Sequence, residues 1–169
     1  GYSALSADTL GSRSTAIGQG TLATQNFTTA TNSQNTAVGY FAGNAVTTGQ
    51  YNTLTGSGAG DALTTGSENV AIGYGTLTTD DVGSRSTAVG TTALANQNTA
   101  TAANIYNTAV GYAAGNAVTT GIQNTLIGGL TGDALTTGKE HVAIGYEALS
   151  TETNGHAATA IGYQALKAQ

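Results

Sequence analysis

The sequence contains no cysteine, proline, methionine or tryptophan, and only 8% of its 169 residues are charged and 6% aromatic. Without cysteine there is no disulfide framework, thiolate metal site or cysteine nucleophile. Apolar runs are short, so no stretch reaches the roughly 20 residues of a membrane-spanning helix, and no signal-like segment opens the chain. Four Lys/Arg against nine Asp/Glu give a net charge of −5, which argues against a nucleic-acid partner, because phosphate neutralisation needs the opposite balance. Two histidines and scattered carboxylates leave little from which to build an active site. We expect no enzyme, catalytic residue, cofactor or metal. The missing methionine and a start at Gly1, inside a repeat unit, read as a segment of a longer polypeptide.

What the chain does have is repetition. One phrase recurs as STAIG (14–18), NTAVG (35–39), NTLTG (52–56), NVAIG (69–73), STAVG (86–90), NTAVG (107–111), NTLIG (124–128), HVAIG (141–145) and ATAIG (158–162). Its closing glycines are Gly18, Gly39, Gly56, Gly73, Gly90, Gly111, Gly128, Gly145 and Gly162, and Gly1 is the tail of one more. They follow one another at a fixed interval, except that the steps from Gly18 to Gly39 and from Gly90 to Gly111 are each longer by the same amount. The intervals themselves repeat: residues 1–72 align without a gap on 73–144, and 145–169 begin a third copy. The whole chain therefore reads as one continuous repeat segment without a linker.

Within each phrase the side chains alternate, as in a strand. Val70 and Ile72 share one face, and Asn69 and Ala71 share the other. Helices of ordinary length do not fit between such closely spaced glycines. The expected fold is all-β, a parallel β-solenoid or β-roll of about ten stacked 17–21-residue coils with glycine corners. At strand spacing such a rod is roughly 45 Å long. Val38, Thr55, Ile72, Val89 and Val110 are expected to form a buried ladder. Asn35, Asn52 and Asn69 form a second ladder, of hydrogen-bonding amides. Ala37, Ala71, Ala88, Ala109 and Ala143 then line an outer face open to close approach by a neighbouring chain. Thin coils are marginal alone, so self-association into a homotrimer or fibre is expected.

At these phrases the chain resembles the head repeats of trimeric autotransporter adhesins and, similarly, repeats of phage tail-fibre proteins. The resemblance implies a left-handed parallel β-roll, three chains side by side, and an extracellular role on a bacterial cell surface or phage virion fibre. The expected function is a rigid rod for attachment or display, with a host-surface glycan or protein as its partner. The alternatives are a purely structural shaft or an ice-binding solenoid. The family repeat is shorter, so these longer coils carry extra turn residues.

Several residues are candidates for more than architecture. Tyr40, Tyr74, Tyr112 and Tyr146 each follow a corner glycine and form either an aromatic track for sugar rings or covers for the apolar corner of their own coils. Arg13 and Arg85 occupy the same place in the two successive repeat units, in coils that also contain Asp8 and Asp80. They read as acidic-glycan contacts or as solvated or inter-chain ion pairs. Asp61 and Asp133 are isolated, and His141 and His156 read as tolerated surface substitutions. No GxSxG elbow supports a hydrolase, and a six-residue acyltransferase period is absent. The TTG turns place two threonines side by side rather than alternating, which disfavours ice binding there, while O-linked sugars stay open. Residues 20–34 and 92–106 hold the extra residues of the long coils and are expected to bulge from the rod.

Overall fold

The computed structural model describes residues 1–167. Nine three-residue strands, Thr15–Ile17, Thr36–Val38, Thr53–Thr55, Val70–Ile72, Thr87–Val89, Thr108–Val110, Thr125–Ile127, Val142–Ile144 and Thr159–Ile161, form one parallel sheet in sequence order. Each strand pairs with the equivalent strand of the next coil, as in Thr36↔Thr53 across a short coil and Thr15↔Thr36 across a long one. The fold is the expected all-β parallel solenoid, with one strand of this sheet per coil and no helix among the described residues.

The alternation is as expected, but its sign is reversed. Ala37, Ala71, Ala88, Ala109 and Ala143 are completely buried, whereas Ile72 and Val110 are 39% and 37% exposed. Val38, Thr55 and Val89 sit on the same outer face, half-buried. The reason is the width of the lumen. The middle strand residue points at the opposite wall of its own coil and has room for only an alanine, unless that wall is cut back.

It is cut back where the middle residue is Leu54 or Leu126. The wall position held by Leu22, Leu77, Leu94 and Leu149 in other coils is then Gly43 and Gly60, or Gly115 and Gly132. A Cβ added at Gly43 would lie 2.6 Å from the Leu54 side chain, and one at Gly60 2.8 Å from it. Large and small residues thus exchange across the lumen at nearly constant volume, as close packing demands.

The asparagine ladder lies inside. Asn35 Oδ1 accepts from the backbone N–H of Asn52, and Asn52 Oδ1 from that of Asn69, both at 2.9 Å. Each amide also donates to a turn carbonyl, as Asn52 does to Gly66 at 2.9 Å. One side chain therefore satisfies a strand donor and a turn acceptor that would otherwise be orphaned in the core. His141 continues this ladder and is not a surface substitution: it is 1% exposed. Its Nε2 lies 2.7 Å from the Gly155 carbonyl, and its Nδ1 accepts from the Ala158 N–H at 3.1 Å. The imidazole thus reproduces the donor and acceptor of the amide it replaces.

All nine closing glycines have φ between +125° and +140°. A Cβ on Gly73 would fall 2.7 Å from the carbonyl of Gly90 in the next coil, so both the dihedral and the stacking distance require glycine.

The long coils bulge less than expected. Leu22, Gln25, Phe27 and Ser33 are buried, as are Gln97, Thr99 and Ile105. The continuously exposed stretches are short, 28–30 and 100–104, and elsewhere in these segments exposed and buried residues are interspersed. Each long coil also pairs a second short strand with the coil before it, Thr31–Asn32 with Gly11–Ser12 and Ala103–Asn104 with Gly83–Ser84.

Candidate functional surfaces

The nine-stranded sheet presents two outward columns to solvent. One is Thr15, Thr36, Thr53, Val70, Thr87, Thr108, Thr125, Val142 and Thr159. The other runs Ile17, Val38, Thr55, Ile72, Val89, Val110, Ile127, Ile144, Ile161. The register is unbroken from coil to coil. Nine strands at roughly 4.8 Å by three residues at roughly 3.3 Å make a strip on the order of 400 Å². It is β-branched and without a charged residue.

Across the corner glycine stands the tyrosine column. Tyr40, Tyr74, Tyr112 and Tyr146 all project into solvent rather than lying flat over the corner. Tyr146 stacks on Tyr163 of the next coil with ring centres 5.9 Å apart and planes 11° from parallel. Tyr40 meets Phe41 edge-on at 4.4 Å. Between Tyr40 and Tyr74 the corner residue is Ser57, and a surface slot of about 430 Å³ opens there, lined also by Gly58, Asp61 and Thr78. Burial raises the pKa of the Asp61 carboxyl, partly offset by its own and the Ala62 backbone N–H. Its Oδ1 is buried without a hydrogen-bond partner, and the same holds for Asp133, whose pKa burial likewise raises.

Arg85 is engaged with side chains of neighbouring coils. Its Nε lies 3.1 Å from Glu68 Oε2, Nη2 donates to Oε1 at 3.3 Å, and Nη1 donates to the Tyr106 hydroxyl at 2.8 Å. The guanidinium also sits 5.8 Å from the Tyr106 ring centre. The pair joins coils of one chain, not two chains, and the hydrogen bond to Glu68 raises the Arg85 pKa. For Arg13 no side-chain partner is found among the described residues.

Asp80 is a buried carboxylate in the coil where the sequence suggested a solvated partner for Arg85. It is 0% exposed. Its Oδ2 accepts from Gln97 Nε2 at 2.5 Å and its Oδ1 from the Gly83 N–H at 3.0 Å. Gln97 in turn contacts Ser86 and accepts from Asn107. Asp8, Gln25, Ser14 and Asn35 make the same network one repeat unit earlier. Burial pushes the Asp80 pKa up, and the Gln97 and Gly83 donors pull it down. The signal in the sequence is an Asp and a Gln one coil apart, present in both units as Asp8 with Gln25 and Asp80 with Gln97.

Among the described residues no group of three or more His, Asp and Glu side chains is placed to hold a metal, and no helix is long and apolar enough to cross a membrane. No family model, curated protein or solved structure matches the chain significantly.

Proposed function

We propose that this chain is a non-enzymatic segment of an extracellular fibre or adhesin, on a bacterial cell surface or phage virion, whose rods associate side by side as parallel homotrimers. The supporting observation is the outward Thr/Val/Ile strip. It is the inverse of the alanine-lined contact face expected from sequence, and a better one. Its area is at the scale of the largest apolar patches on soluble monomers, yet only about half of the ~800 Å² each partner contributes to a standard interface. Strip-to-strip pairing of two rods therefore buries too little. Neither a pair nor a three-fold arrangement enlarges the strip itself, so surface beside it must join the contact, and the choice of a trimer follows the resemblance to autotransporter head repeats.

Sedimentation of the chain at micromolar concentration tests this. The expected result is a trimer that Ile72→Asp combined with Val110→Asp converts to a monomer with an unchanged β circular dichroism spectrum. A stable wild-type monomer would refute the assembly.

One observation favours a second reading. The first threonine of each TTG turn is engaged, with the Thr47, Thr64, Thr119 and Thr136 hydroxyls donating to carbonyls of the next coil. The outward column, by contrast, carries seven threonines, each followed in its strand by an inward residue, the regular spacing that an ordered water lattice can match. Thermal hysteresis of a monomeric chain would select ice binding over self-association.

A further inference from the structure

Along the corner column tyrosine alternates with other residues: Tyr2, Gln19, Tyr40, Ser57, Tyr74, Thr91, Tyr112, Gly129, Tyr146 and Tyr163. Of the four interruptions, Ser57 and Gly129 hold the same place in the two repeat units and are followed four residues on by an aspartate, Asp61 and Asp133, where Gln19 and Thr91 are followed by Ala23 and Ala95. At the one step where adjacent coils both carry tyrosine, Tyr146 stacks on Tyr163. Where Ser57 or Gly129 intervenes, one ring is missing from the stack, and the tyrosine-bearing coils on either side are roughly 9.6 Å apart. The position is open: a Cβ built on Gly129 meets nothing closer than the Tyr146 ring at 3.5 Å, and one on Gly58 nothing closer than Asp61 Oδ2 at 3.8 Å.

We propose that these two slots each hold one ring of a neutral saccharide, stacked against tyrosine and donating its hydroxyls to Asp61 in one slot and Asp133 in the other. Asp61 Oδ2 lies toward the slot, 3.8 Å from a Cβ built on the lining residue Gly58, and a ligand rich in O–H donors gives this carboxylate charge-assisted hydrogen bonds. The first slot also offers the hydroxyls of Ser57, Thr78 and Thr92. An apolar ring face beside several neutral hydrogen-bonding groups suits a sugar, which has an apolar face and a polar rim. Phosphate and carboxylate ligands are repelled by the aspartate. An organic cation would use the aromatic faces but not the hydroxyls. The slots recur once per repeat unit, roughly 19 Å apart along the rod at strand spacing, so an extended glycan lying along the column can enter both. The inference deepens the adhesin reading and rests on it for the source of the sugar, a host surface.

The test titrates the whole chain with neutral tetrasaccharides of glucose, mannose, galactose and N-acetylglucosamine, following tyrosine ring resonances by NMR. Tetramethylammonium serves as the cation arm. At least one saccharide should saturate the Tyr40, Tyr74, Tyr112 and Tyr146 signals. The double variant Ser57→Tyr/Gly129→Tyr, which completes the stack as Tyr163 does on Tyr146, should abolish that response. Asp61→Asn with Asp133→Asn, which keeps the side-chain shape, should weaken it about tenfold, the effect of one charge-assisted hydrogen bond. No response to any of the four sugars, binding that survives both variants, or an equal response to tetramethylammonium overturns the proposal. Sedimentation of the same samples reports the self-association separately, so a trimer that binds no sugar refutes the slots and leaves the rod standing.

Discussion

Two parts of the core solve one packing problem differently. Within the short coils the lumen is plugged by Val46 and Leu63, or by Val118 and Leu135. Beside each long coil the same position carries Asp8 and Gln25, or Asp80 and Gln97. The positions are equivalent because Val46, Leu63, Gln25 and Gln97 each close the same turn, with their N–H donating to the carbonyl of Gly43, Gly60, Leu22 and Leu94 respectively. The polar pair occurs where the coil lengthens. There Asp80 accepts the Gly83 N–H, and Gln97 gives Asn107 a second acceptor beside the Gly121 carbonyl. The comparison teaches that a buried polar network is tolerated where the backbone departs from the uniform stack and leaves groups to satisfy.

The largest effect falls on neither part but on the stacking both depend on. Gly73→Val adds a left-handed dihedral penalty to a clash with Gly90 and should cost on the order of 3–5 kcal/mol, read as loss of cooperative thermal unfolding by circular dichroism. Gln97→Leu should cost roughly 3 kcal/mol in urea unfolding, because it strands the Asp80 carboxylate. Asp80→Leu/Gln97→Val, which copies the plug of the short coils, should recover more than half of that. Failure of this rescue would show that the network serves the register change and not merely the lumen. Leu54→Ala should cost about 3 kcal/mol as a cavity, whereas Ile72→Ala, measured below the self-association concentration, should cost under about 1 kcal/mol.

Smaller effects sharpen the contrast. Burial raises the folded-state pKa of Asp80, so the folded chain holds that proton more tightly than the unfolded one. The resulting stability is fully present below the unfolded value near 3.8 and is lost as pH rises through the folded value. Wild type should therefore gain stability relative to Asp80→Leu/Gln97→Val as pH falls from about 7 to about 4. Asp61 and Asp133 shift the same way but are common to both chains and cancel. Deleting residues 28–30, which keeps Gln25, Phe27 and the paired Thr31–Asn32, should change stability by no more than about 1 kcal/mol.

The coil spacing, the corner glycines and the asparagine ladder were legible because each is periodic. The sign of the alternation was not, since hydrophobicity assigns Ile72 to the core and Ala71 to the surface. The decisive quantity is lumen width, and its trace in the sequence is covariation: Leu54 and Leu126 occur only with glycine at 43, 60, 115 and 132. His141 was misread because residue type alone hides that an imidazole offers the hydrogen-bonding ends of an amide. Left-handed φ at Glu68 and Arg85 left no mark, whereas at Leu22, Leu77 and Leu94 its trace is the glycine at the equivalent positions 43, 60, 115 and 132. Of the candidate surfaces, the tyrosines could be found from spacing. The buried oxygen of Asp61 could not, because its burial is created by residues of neighbouring coils.

The offset of every strand pair by a single coil also sets how the molecule is made. A coil needs only its predecessor as a template, so no contact must await a distant part of the chain, and topology imposes little delay on folding. During synthesis the rod can grow at its free end, one coil at a time, with the last completed strand offering its unpaired edge to the next. The reverse holds on unfolding. End coils have one neighbour instead of two, so they should exchange their amide hydrogens first, and protection should rise inward from both tips.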